Sequence, residues 1–462
     1  MRRNLIRAAG LGALLAAFGC APLPSIDLPT REATALVNTM PAMKTFALRP
    51  VAPPTRANAD IARDFVDLSF RMESGRVLDR MTRFEGPITL RVVGRAPVSL
   101  APDLGRLLQR LRAEAGIKIS VTQSETANIN IVLVPRAQMQ RAVPGAACFV
   151  VPNTTDWEDF RRARRTVRAD WTRLTTREQV AIFVPSNAAP QELRDCLHEE
   201  LAQALGPLND LYRLPDSVFN DDNIHTVLTG FDMLVLRAYY SPELRNGMTE
   251  TQVRARLPQL LARLNPAGEG VGPEFRAATT LDWRTNIAEA LGGTRAPKAR
   301  RDAAEMAIAI ARKRGWIDAR LGFSHYALGR LTIATEPQRA FNSFVAADSL
   351  FQQSPTTALH SAYVGAQIAA FALLDGDADT IIAITDRHIP TAAQHENAAL
   401  MASLMMFRAE ALELQGRMAQ ARALRLDSLG WARYGFGSTE AVTARLREIA
   451  LLNPTKHGRV SF

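Results

Sequence analysis

The densest set of side chains able to do chemistry lies in residues 196–210, CLHEELAQALGPLND. The apolar spacing puts most of them on a helix over 190–205 that stops at Gly206. A helix opening His-Glu invites comparison with HExxH, in which two histidines four residues apart share a helical face and grip zinc while the glutamate acts as base. Taken from His198 the pattern fails, because Ala202 stands at the second ligand position. Shifted by one residue, Glu199-Glu200-x-x-Gln203-x-x-Gly206-x-x-Asn209 keeps the longer spacing HExxHxxGxxH. Glu199, Gln203 and Asn209 then occupy the three ligand positions, and Glu200 that of the general base. His198, about 100° round the helix from Glu199, and Asp210 are further candidates. Zinc prefers imidazole and thiolate, so an oxygen set of this kind suits calcium, magnesium or manganese better. The alternative, which the loss of all three imidazoles favours, is that these groups hydrogen-bond one another and the nearby turn with no metal. The cofactor therefore stays open between none and a divalent cation.

Two satellites accompany this stretch. Asn220-Asp221-Asp222-Asn223 is a carboxylate–amide cluster that would complete a cation site with Glu199 and Glu200; Asx residues also crowd turns because their side chains bond local backbone, and that is the favoured reading. Residues 161–168 (RRARRTVR), between Trp157 and Trp171, would suit anionic headgroups or nucleic acid, but such a run more often forms the solvated face of a short helix. The other histidines are scattered with no i,i+4 pair. No GxSxG, GxxxxGK[ST] or GxGxxG stands in a fitting strand–turn–helix context, which leaves serine hydrolase, nucleotide-binding and dehydrogenase readings without their basic parts.

Around these residues the pattern reads helix over 59–72, strand over 88–93, amphipathic helix over 101–115, then strands over 117–122, 129–134, 148–151 and 179–184 before the helix over 190–205. That order is an α+β domain with a mixed sheet. After Gly247 the pattern is helical nearly throughout. From about 302 to 452 it reads as antiparallel helix pairs of roughly tetratricopeptide size: Leu328-Gly329 with Ala340, Phe344 and Ala347, a turn at Leu374-Asp375-Gly376-Asp377, and Ala409, Gly416 and Ala421. The expected domains are 1–20 export signal, 21–58 proline-rich tether, 59–248 α+β domain, 249–295 helical connector and 296–462 helical repeats.

The chain has 462 residues, 47% of them apolar and 22% charged, enough for two or three domains with their own cores. Its net charge of +10 rests on 51 arginines and only five lysines, spread evenly, so nucleic acid is a disfavoured partner. No uninterrupted apolar run after the first two dozen residues reaches the ~18 needed to cross a bilayer. Residues 1–20 carry Arg2, Arg3 and Arg7, an apolar stretch over 8–18, and Ala17-Phe18-Gly19-Cys20, which resembles a bacterial lipobox with Cys20 lipidated; an ordinary cleaved secretory signal is the alternative. Ala21 after the cysteine favours the outer over the inner membrane. In an oxidising compartment Cys148 and Cys196 are the right number for one bridge, worth ~4 kcal/mol for the loop it closes.

Arg194–Asp210 (RxCLHEELAQALGPLND), DSVFNDDN (216–223) and FDMLVLRAYYSP (231–242) together resemble the exported domain of unknown function 2927 family, regarded as zincin-like. The resemblance covers about 60–248 and implies a metzincin-like fold with a sharp turn at Gly206 and a final helix around Phe231–Tyr240. It brings no demonstrated activity. The expectation is a periplasmic, lipid-anchored binding or scaffold protein that meets an envelope protein or peptide through its helical repeats. A metal-dependent, peptidase-like hydrolase with Glu200 as base is the competing reading.

Overall fold

The computed structural model describes residues 40–49, 51–293 and 295–456; Cys20 and the export signal lie outside them. The first half runs α1 (Asn58–Phe70), β1 (Ile88–Val93), α2 (Leu100–Ala115), β2 (Ile119–Val121), β3 (Ile129–Val134), α3 (Arg136–Ala142), β4 (Phe149–Pro152), α4 (Trp157–Ala163), β5 (Val180–Pro185), α5 (Pro190–Leu205), α6 (Gly230–Tyr239) and α7 (Glu250–Leu264). The five strands form one sheet in the order β2-β1-β3-β5-β4, all neighbours parallel except β4, which runs antiparallel to β5 with Phe149 opposite Phe183.

The two strands β3, INIVLV, and β5, VAIFVP, are buried along their whole length and apolar except for Asn130, because both faces of the sheet are covered. On one face α1, α2, α5, α6 and α7 share the main core with Phe65, Leu108, Ile131, Ile182, Leu201 and Leu257. On the other, α3 and α4 cover a smaller cluster of Val132, Met139, Phe160 and Phe183. The helix pattern did not announce α3, and of the short helix read at 161–168 only 161–163 lie in α4; each is only seven residues long and too short to show a period.

The second half is all helical: α8 (Leu281–Leu291), α9 (Pro297–Lys313), α10 (Ala319–Thr332), α11 (Pro337–Phe351), α12 (Ala358–Leu374), α13 (Ala378–Gln394), α14 (Ala398–Leu414), α15 (Met418–Phe436) and α16 (Thr439–Ala450). Consecutive helices pack on one another through short connections, with Gly376 and Gly416 in left-handed conformation at two of the turns. The segment Pro355–Leu374 is long and apolar enough to cross a membrane by length and composition, although His360, Ser361 and Gln367 interrupt its apolar run; 61% of an 18-residue window in it is buried, and α12 packs against α11, α13 and α14. The expected connector is divided. Val253, Leu257, Leu260 and Leu261 of α7 belong to the core of the sheet region, whereas Trp283 and Ile287 of α8 belong to the helical one.

Residues 40–49 and 51–57, expected as part of a tether, lie along both regions. Lys44 N–H donates to the Gly430 carbonyl (3.0 Å), Phe46 stacks on Trp431 with centroids 4.6 Å apart, and Arg433 reaches the Pro41 carbonyl (2.6 Å), so the first part of this strap rides on α15. Further along, Arg56 stacks on Phe231 (4.4 Å), and a Cβ at Gly230 would meet the Ala52 carbonyl oxygen at 1.8 Å. Only glycine lets the strap lie that close to the start of α6.

The two regions are also joined directly. Tyr212 meets Trp283 edge-on at 4.9 Å, His360 Nε2 is 2.8 Å from Asp222 Oδ2, and Gln191 bonds both the Asn397 side chain and the Ala399 N–H. His225 sits between His395 and His360, ring centroids 4.9 and 5.9 Å away.

Candidate functional site: an acidic cleft between β4 and α5

Helix α5 begins with Pro190 at its first turn, followed by Glu192, both suited to a helix N-terminus. Its far end leaves backbone carbonyls without intrahelical donors. Arg177, fully buried, supplies them: its guanidinium donates to the carbonyls of Gln203 (2.7 Å), Ala204 (2.8 Å) and Gly206 (2.5 Å) and stacks on Trp171 (4.9 Å). At Gly206 the chain turns against Tyr239, whose ring a Cβ would meet at 3.0 Å.

A cleft of about 550 Å³ opens between α5 and β4. Its lip is the segment 145–150, leading into β4, whose other edge no strand covers among the described residues. Met72, Val150 and Leu208 form apolar walls. Glu200, Gln203 and Asp210 form a buried floor, Glu199 a wall, and Glu73 and Asp221 the mouth. The sulfurs of Cys148 and Cys196 lie at bonding distance, Cα atoms 5.9 Å apart, and tie the lip to the helix beneath it.

The cleft holds carboxyls with little to oppose them. Gln203 Nε2 approaches Asp210 Oδ2 at 3.4 Å and the Tyr212 hydroxyl donates to Asp221 Oδ2 at 2.9 Å. Glu200 Oε2 and Asp210 Oδ1 are buried without a donor. Burial, then repulsion from Glu73, Asp221 and Asp195, pushes Glu199 up to about 8. Burial and the neighbouring carboxyls raise Glu200 and Asp210 well above the ordinary range. Asp221 is pushed up to about 6, by desolvation first, against the Tyr212 hydroxyl and Arg284. Burial and mutual repulsion therefore favour the neutral forms of the floor carboxyls, and a bound cation would favour their charged forms.

The sequence candidates separate into two groups. Glu199, Glu200, Gln203, Asp210 and Asp221 meet in the cleft. Asn209 does not: its Nδ2 donates to the Asp67 carbonyl (2.9 Å), while Leu208 N–H donates to Leu68 O (3.1 Å), so this segment satisfies the C-terminal carbonyls of α1. His198 faces away, Nδ1 accepting from Leu228 N–H at 3.1 Å; burial and Arg194, Arg110 and Arg106 hold it neutral, well below the usual histidine range. Asn220 and Asp222 close an Asx turn, Asn220 Nδ2 donating to Leu214 O (3.0 Å) and Asp222 Oδ2 (2.8 Å), and Asp222 continues to His360. Glu73 was not singled out by the sequence reading; it stands in the turn after α1, where no spacing links it to α5.

Zinc does not fit this donor set, since no imidazole or thiolate reaches the cleft. Among the described residues no group of three or more His, Cys, Asp or Glu is placed to hold a metal ion. The arginine run is solvated: Arg161 pairs with Glu158 (3.1 Å), and Arg162 and Arg168 pair with Asp159.

No curated protein and no solved structure matches the chain. Residues 58–259, from the start of α1 into α7, match the model of a family described as Protein of unknown function (DUF2927), the family that the motifs of α5 and α6 resemble.

Proposed function

We propose that the protein is an exported, lipid-anchored envelope protein whose first half is a metzincin-like module that binds an extended peptide and does not cleave it. The observation behind this reading is the cleft itself: a floor of two carboxyls and one amide lies beside β4, an edge strand whose other side no strand covers among the described residues. An edge strand offers unpaired N–H and C=O groups to an added strand, and the cleft beside it takes alternate side chains. Strand, helix, strands and then the helix of α5 follow the order expected for the upper half of that fold. Export is supported by the Cys148–Cys196 pair, which an oxidising compartment favours. The stacked helices of the second half would then offer a surface to an envelope partner, as tetratricopeptide-like arrays do.

The test uses pools of labelled octapeptides with the exported chain, Cys20→Ser, and with Ala147→Trp, which places bulk at the exposed lip of the cleft. Binding without cleavage, weakened at least ten-fold by Ala147→Trp, is expected. Cleavage in the presence of zinc, calcium or manganese, lost in Glu200→Gln, would replace this reading by the hydrolase.

A further inference from the structure

We propose that the cleft selects a basic side chain, a lysine or arginine of the bound peptide whose stem lies between Met72, Val150 and Leu208 and whose head reaches Glu199, Asp210 and Glu200. This rests on the peptide-binding reading above. The shape matches the ligand in two parts. Lysine and arginine join a long apolar stem to a charged head, and the cleft joins apolar walls to an acidic floor.

The floor is short of donors. Glu200 and Asp210 are only 4% and 7% exposed, both line the cleft, and each has a carboxyl oxygen with no donor. An unpaired buried acceptor is costly, and an incoming guanidinium or ammonium supplies the missing N–H groups. Arg284 acts on Asp221 at the mouth and spends one donor on the Glu73 carbonyl (2.8 Å). Among the described residues, the charges that act most on Glu199 and Glu200 are all carboxylates.

The arrangement favours an organic cation over a metal ion. A metal needs several ligands converging on one point about 2–2.6 Å from each. Here no such group is formed among the described residues, and the carboxyls are instead spread from floor to mouth. A guanidinium with five N–H donors in a planar fork spans separated acceptors that a compact ion cannot.

The experiment is titration calorimetry on the disulfide-bonded chain, Cys20→Ser, with alanine-rich octapeptides that differ only at one central position: Arg, Lys, Met or Glu. The Arg and Lys peptides are expected to bind at least ten-fold more tightly than the Met peptide and the Glu peptide not at all. The Glu199→Gln/Asp210→Asn double variant should bring the Arg peptide to the level of the Met peptide. Asp221→Asn, at the mouth with its Tyr212 bond retained, should weaken it less and serves if the double variant does not fold. Equal binding of Arg and Met peptides would overturn this inference and leave the peptide cleft standing. Binding of none of the four would remove both. A rise in melting temperature with manganese or calcium alone, together with loss of Arg-peptide binding, would assign the floor to a metal ion instead.

Discussion

Glu199 and its neighbours set a pH dependence whose sign follows from the direction of their shifts. A carboxyl held at about 8 in the fold and near 4.5 in the unfolded chain binds more protons when folded. Its contribution is complete below about pH 4.5 and is lost as pH rises towards 8. Asp221, at about 6, and the raised Asp210 and Glu200 act in the same direction. Glu199→Gln should therefore flatten the decline in stability between pH 5 and 8 and raise stability at pH 8 by at least about 1 kcal/mol, one pKa unit being worth ~1.4 kcal/mol. Thermal unfolding in a pH series checks this, and an unchanged or steeper decline would refute it. The sequence disclosed part of this cluster. Glu199, Glu200 and Gln203 share a helix and Asp210 follows its turn, so their spacing brings them together. Asn209 had the right spacing too, yet the end of α1 needed its amide more than the cleft did. Glu73 joins from a turn far upstream, and no local period encodes that meeting.

Elements whose physics is local were legible and those stabilised by distant partners were not. Strand β3 follows its apolar run and α5 spans from Pro190 to the residue before Gly206, as expected. The short helices α3 and α4 exist because Met139 and Phe160 cover the outer face of the sheet, a fact of packing and not of periodicity. The end of α5 likewise depends on Arg177, a residue no motif marks. Arg177→Met should destabilise the protein by about 3 kcal/mol, because three helix-end carbonyls would lose their donors and each unsatisfied buried group costs ~1–3 kcal/mol, with some recovery by relaxation. Chemical denaturation measures the loss; a change below about 1 kcal/mol would mean that water replaces the guanidinium.

At the scale of the whole molecule, the proline-rich beginning and the scattered histidines both acquire roles that composition hid. Proline spacing marked residues 40–57 as irregular and said nothing of α15 or α6 as their docking sites. His225, His360 and His395 come from a loop, from α12 and from the turn after α13, and meet at the junction of the two regions. Burial and the neighbouring imidazoles hold His225 well below the ordinary range, and burial, then His360, brings His395 to about 4 against the pull of Asp216. These groups bind fewer protons folded than unfolded, so their contribution is full above pH 6.5 and is lost as pH falls towards 4. Amide exchange in 216–229 and at the start of α12 should accelerate between pH 7 and pH 5 before the sheet core does, and His395→Gln should reduce that acceleration. Uniform acceleration across the chain would show that the junction is not the acid-sensitive point. With the carboxyl cluster declining on the alkaline side, greatest stability should fall near pH 6.

The strap has a consequence in time. Lys44 meets α15 across 383 positions of sequence, so the surface that receives residues 40–46 does not exist until residue 436 has been made. An early segment of the chain must wait for a late one before it can settle. Loop closure of that span makes the step slow relative to the local pairing of neighbouring helices. Docking of the strap thus acts as a record that the chain has arrived whole: a polypeptide cut short before α15 would leave Phe46 without Trp431, and its leading segment would stay open to proteases.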